Sequence, residues 1–232
     1  MRGLIKYFLI IFFIANASSQ DKLFTIIDPD QTGIHFSNDL IDTKENNVFL
    51  YANFYGGAGV GVGDFDNDGL DDLFFAGNLV DDKIYKNLGN LKFQDKTPNS
   101  GIINDSSWST GVTVADVNND GLLDIYVSCE LYDDQPKLRT NKLYINKGNF
   151  EFDELAAKWN VDVDRRTRHA VFFDYNKDGL LDLYLLNHPP NTGNFSPFLG
   201  TDMKLPEYNL QLFENRQGFF EDVTAKAGLD RS

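Results

Sequence analysis

A chain of 232 residues with 35 acidic and 21 basic side chains carries a net charge of −14. Such a surface repels phosphate, which argues against nucleic acid as a partner. Its 42% hydrophobic content, with 20 Phe and 10 Tyr, suits a strand-rich core of one or two domains, and a single cysteine excludes an internal disulfide framework.

Residues 1–17 have the form of a secretory signal peptide. Arg2 and Lys6 precede and flank an apolar run over 7–14, and Ala15-Asn16-Ala17 offers a cleavage site. The run is too short to cross a membrane, so export to the cell envelope or medium is expected, with no span left after cleavage. No cysteine follows it to carry a lipid anchor. Residues 18–58 are expected to hold N-terminal strands. The first covers 23–27; Asp28, Pro29, Asp30 and Gly33 break it; 34–36 resumes it; and 48–55 is aromatic and β-prone. Gly56, Gly57, Gly59, Gly61 and Gly63 lack GxGxxG spacing and a following helix pattern. They predict a strand packed tightly against a neighbour.

The next ten residues concentrate the charge. Asp64, Asp66, Asp68 and Asp72 hold positions 1, 3, 5 and 9 of an acidic loop, with Gly69 at position 6. Two such anions about 4 Å apart repel by about 1 kcal/mol in water, and by several times that near a protein surface. Oxygen donors at alternate positions around a turn-permitting glycine are what Ca²⁺ takes. Asp116, Asn118, Asp120, Gly121 and Asp124 repeat the pattern, as do Asp174, Asn176, Asp178, Gly179 and Asp182. An EF-hand would need glutamate at position 12 between helices; Phe75, Val127 and Leu185 stand there in strand-like runs. Charge alone ranks the first loop as the tightest site, since it has four carboxylates where the others have three.

Each loop lies between β-prone runs, and each unit closes with a second echo: Tyr85-Lys86-Asn87, Tyr144-Ile145-Asn146 and Phe213-Glu214-Asn215. These lead into turns at Gly89, Gly148 and Gly218, the mark of a β-hairpin. Asn87 to Asp116 is 29 residues and Asn146 to Asp174 is 28, whereas the segment after each acidic strand varies in length. Four strands per repeat at this period predict an all-β chain built as a β-propeller of four-stranded antiparallel blades. Three blades are visible, at about 59–101, 110–161 and 168–229, so the propeller is incomplete. Residues 220–229 read as the lead-in to another blade, whose loop would begin near position 243 or 244.

The three Asp-x-Asp-x-Asp-Gly or Asp-x-Asn-x-Asp-Gly loops, each followed by its Leu-Tyr-x-Asn-type strand, resemble the FG-GAP/VCBS repeat of integrin-α-type propellers. The N-terminal order also resembles the start of secreted proteins that end in an ASPIC/UnbV domain. The first resemblance implies Ca²⁺ ligands at Asp64, Asp66, Asp68 and Asp72; at Asp116, Asn118, Asp120 and Asp124; and at Asp174, Asn176, Asp178 and Asp182. It adds the carbonyls of Leu70, Leu122 and Leu180. No GxSxG, HExxH, CxxC or P-loop is present, so no catalytic residue and no enzyme activity are expected. The function expected is a secreted or cell-surface calcium-binding module for adhesion or for recognising an extracellular protein or glycan. The alternative is a non-catalytic scaffold within a larger extracellular lyase or hydrolase. The proline-rich insertion 188–209 is a candidate recognition loop. The basic run 165–169 reads as surface balance or an inter-blade salt bridge, and Cys129 as a core residue.

Overall fold

The computed structural model describes residues 23–51, 53–103, 105–131, 136–188 and 210–230. The expected signal segment and residues 189–209 of the insertion lie outside the described residues. Twelve strands form three sheets there, each four-stranded, antiparallel and in simple sequence order. The first holds β1 (Val60–Gly63), β2 (Asp72–Phe75), β3 (Lys83–Asn87) and β4 (Phe93–Asp95). The second holds β5 (Trp108–Ala115), β6 (Asp124–Glu130), β7 (Lys142–Asn146) and β8 (Phe152–Glu154). The third holds β9 (Thr167–Phe173), β10 (Asp182–Asn187), β11 (Gln211–Asn215) and β12 (Phe220–Asp222). Trp108 and Thr167 open their sheets slightly ahead of the expected boundaries. The architecture is all-β and consistent with propeller-like blades. The second sheet lies between the other two, and no closed ring is seen among the described residues.

Apolar side chains on facing surfaces make the two inter-sheet cores. Phe65, Phe74, Ile84, Ile125, Val127 and Tyr144 fill the first; Tyr126, Leu143, Ile145, Leu183, Leu185 and Phe220 fill the second. Cys129 is free and buried in the first core, and burial pushes its thiol up to about 12. The glycine string of β1 works by close approach. A methyl group on Gly59 would stand 2.7 Å from the Val112 amide nitrogen, and one on Gly61 would stand 2.7 Å from a Val112 methyl. Only glycine lets β1 lie this close to β5.

The links between sheets follow one plan. Phe152 donates its amide to the Ser100 carbonyl at 2.7 Å, and Phe220 does the same to Trp159 at 2.8 Å. Each link then turns through a positive φ, at Gly101 (86°) and Asn160 (60°).

The N-terminal strands expected over 23–27 and 34–36 are not formed. Residues 24–28 carry no strand pairing, and Pro29–Thr32 is a one-turn helix. The reason is local. The Asp28 side chain accepts the Asp30 amide at 2.9 Å, Pro29 sits at the first helical position, and Gly33 ends the turn at φ 80°. The β-prone run 48–55 is likewise irregular over its described residues, 48–51 and 53–55. Its Tyr51 and Phe54 are buried against Trp108, so aromatic packing rather than strand pairing uses these residues.

Candidate metal centres

The three acidic loops fold alike. In each, the position 1 aspartate accepts two backbone amides across the turn. Asp64 takes Asp68 N at 3.0 Å and Gly69 N at 2.7 Å. Asp116 takes Asp120 N at 3.1 Å and Gly121 N at 2.9 Å, and Asp174 takes Asp178 N at 3.1 Å and Gly179 N at 3.0 Å. The position 5 carboxylates of Asp68, Asp120 and Asp178 accept the amides of Leu70, Leu122 and Leu180 at 3.0, 2.9 and 2.9 Å. The glycines stand at φ 88°, 86° and 87°, a conformation that side chains resist.

Position 9 does a second job. Asp72, Asp124 and Asp182 are buried, and each bridges its own loop to the third strand of its sheet. Asp72 accepts Phe65 N and Asn87 N; Asp124 accepts Val117 N and Asn146 N; Asp182 accepts Tyr175 N and Asn215 N. Burial raises the pKa of all three, that of Asp124 to about 7. A carboxyl held this way gains from a nearby cation, which favours its ionised form.

The asparagines that follow tie one sheet to the next, a role their sequence motif does not announce. Asn146 Nδ2 donates to Leu123 O at 3.0 Å and, across the interface, to Phe65 O at 2.8 Å. Asn215 Nδ2 donates to Leu181 O at 3.1 Å and to Val117 O at 3.0 Å. Phe65 and Val117 occupy position 2 of the first and second loops, so each loop is anchored by the following sheet. Asn87 donates to Asp71 O at 2.8 Å.

The donor sets suit Ca²⁺. All side-chain donors are oxygens, and ligand atoms from Asp64, Asp66 and Asp72 lie within 4.8 Å of one another. Asp66 Oδ1 is buried without a hydrogen-bond partner, an orphaned acceptor that a cation would satisfy. Asp68 is not one of that trio. Its carboxylate accepts Lys86 Nζ at 2.6 Å, and this bond holds its pKa below the usual range. Lys86 also bonds Asp66. Burial works to lower the Lys86 pKa, but the hydrogen bonds to Asp66 and Asp68 outweigh it and hold the ammonium above its ordinary value. In the other sheets Ile145 and Glu214 take the place of Lys86. Glu214 accepts Asn176 Nδ2 at 3.2 Å and Tyr175 OH at 3.0 Å, and it pairs with Arg216 at 2.6 Å. Lys86 thus pairs with the carboxylate that the first loop has in excess of the other two, Asp66.

At the far end of the second and third sheets, Glu130 is fully buried. It contacts Tyr51 OH, Arg168 and His188 Nε2. Arg168 of β9 thus makes the salt bridge between sheets expected of the basic run.

Three sheets of one plan, each turning through an acidic glycine loop between its first two strands, define a β-repeat protein. Residues 64–127 match the FG-GAP-like repeat, which supports an FG-GAP-type repeat protein. The chain is 26% identical over 179 residues to cartilage acidic protein 1 of Xenopus tropicalis. That alignment covers 76% of this chain and 27% of the relative, so the chain spans about a quarter of the relative's length.

Proposed function

We propose that the chain is an extracellular calcium-binding β-propeller module whose loops stiffen the blades for adhesion or for recognition of a protein or glycan. The observation that carries this reading is the repetition of one loop geometry three times, with oxygen donors throughout and Asp66 Oδ1 left without a partner. Asp64, Asp66, Asp68 and Asp72 would hold the ion in the first loop. Asp116, Asn118, Asp120 and Asp124 would do so in the second, and Asp174, Asn176, Asp178 and Asp182 in the third, with the Leu70, Leu122 and Leu180 carbonyls completing the sets. When bound, the ion supplies charge neutralisation and rigidity rather than reaction chemistry.

The anchoring of Phe65 and Val117 by Asn146 and Asn215 would pass loop rigidity into the neighbouring sheets. The FG-GAP match and the similarity to cartilage acidic protein 1 support the extracellular setting. None of the described helices is long and apolar enough to cross a membrane. Calorimetric titration of the purified chain with Ca²⁺, followed by a glycan and matrix-protein array with Ca²⁺ or chelator, tests the reading. Saturable binding with calcium-dependent array signals supports it; no heat of binding overturns it.

A further inference from the structure

Comparing the three repeats isolates one residue. The first loop alone has a carboxylate at position 3, Asp66, where Asn118 and Asn176 stand in the others. The first sheet alone has a lysine before its β3 asparagine, where Ile145 and Glu214 stand in the others. The two exceptions meet. Lys86 Nζ bonds Asp66 and Asp68, the position 3 and position 5 carboxylates, from a side chain that is only 20% exposed. It also stands 5.6 Å from the centre of the Phe150 ring, which is buried and contributed by the second sheet. Counted over positions 1, 3, 5 and 9, four carboxylates less one ammonium leave the first loop with the same formal charge as the three carboxylates of each sister.

We propose that Lys86 is a tethered cation for the first loop. It neutralises the loop without metal and must be displaced before Ca²⁺ can take the Asp66 Oδ2 and Asp68 Oδ2 atoms that it holds. The first loop is then the weakest calcium site of the three, the reverse of the order its carboxylate count suggests. This rests on the calcium reading of the loops.

The ammonium and Ca²⁺ compete for the same two carboxylates. Ca²⁺ carries the greater charge, but it gains only what remains after the Lys86 hydrogen bonds and its contact with Phe150 are given up. In the metal-free chain, Lys86 is the counter-ion that lets Asp64, Asp66, Asp68 and Asp72 sit together. The second loop has an apolar residue in that place. The third has Glu214, which holds the Asn176 amide nitrogen and so orients that side chain. Neither side chain is itself a cation, and Glu214 pairs with Arg216 at 2.6 Å.

The test uses the whole chain with Asp120→Ala and Asp178→Ala, which leaves the first loop as the intact site, titrated with Ca²⁺ by calorimetry. Adding Lys86→Met, which keeps the stem over Phe150 without the charge, should tighten binding by about tenfold or more. Lys86→Arg should stay at the parent affinity. In chelator, Lys86→Met should melt below the parent, and saturating Ca²⁺ should raise its melting temperature by more than the parent's. Unchanged or weaker binding on Lys86→Met, in a chain that still melts cooperatively, overturns the proposal and leaves the calcium reading standing. Absence of calcium binding to every loop of the unsubstituted chain overturns both.

Discussion

Asn87, Asn146 and Asn215 show how one residue type acquires unequal weight from its surroundings. Asn146 is buried, donates twice and accepts the Gly148 amide at 2.8 Å. Asn87 makes one donation, within its own sheet. Asn146→Ala should therefore cost about 2–3 kcal/mol, and Asn87→Ala about 1 kcal/mol, read as a difference in urea midpoints. Asp82 offers a pH probe remote from the acidic loops. Burial pushes its carboxyl up to about 6, against hydrogen bonds from the Gly77 amide and Ser109 and the charge of Lys142. The folded pKa lies above the unfolded value near 4, so the folded chain holds this proton more tightly. Its contribution is present in full below about pH 4 and is lost as pH rises through about 6. Unfolding free energies across that window should show the wild type losing up to about 3 kcal/mol relative to Asp82→Asn. The three acidic loops were legible residue by residue because carboxylates and a glycine recur in them at fixed spacing. Lys86, the asparagine donations across the interface and Glu130 were not, because their partners lie 18 or more residues away and only strand pairing and the packing of one sheet on the next bring them together.

At the scale of elements, β-prone runs and the turn glycines carried the twelve strands, and each acidic loop fell between the first two strands of its sheet. The N-terminal stretch misled because β-propensity there has no strand to pair with, while Asp28, Pro29 and Gly33 close a capped helical turn. That turn is the same device as the links between sheets. Gly33, Gly101, Asn160 and Gly228 all stand at positive φ, and the first three sit beside Phe93, Phe152 and Phe220. A methyl group on Gly101 would overlap the Phe152 carbonyl, whereas one on Gly228 would meet open space. Gly101→Ala should thus lose about 3 kcal/mol or more, and Gly228→Ala about 1–2 kcal/mol, the cost of the backbone angle alone. Equal losses in denaturant titration would show that the strand beneath the link is irrelevant.

At the scale of the whole molecule, three sheets share two cores, and the first and second acidic loops sit where their sheet meets the next. Phe65 and Val117 contribute a core side chain, an amide held by the position 9 aspartate and a carbonyl held by the next sheet. Neutralising the loops should therefore stabilise the assembly rather than three isolated turns. An ion that binds only the folded chain adds about 2.7 kcal/mol per site at a hundredfold excess over its dissociation constant. The most direct measurement is a pair of thermal melts of the chain, one in saturating Ca²⁺ and one in chelator. The account predicts a higher melting temperature with Ca²⁺ in a single cooperative transition, and a smaller shift for Asp120→Ala and for Asp178→Ala. Superimposable melts would contradict it and reduce the three loops to acidic turns.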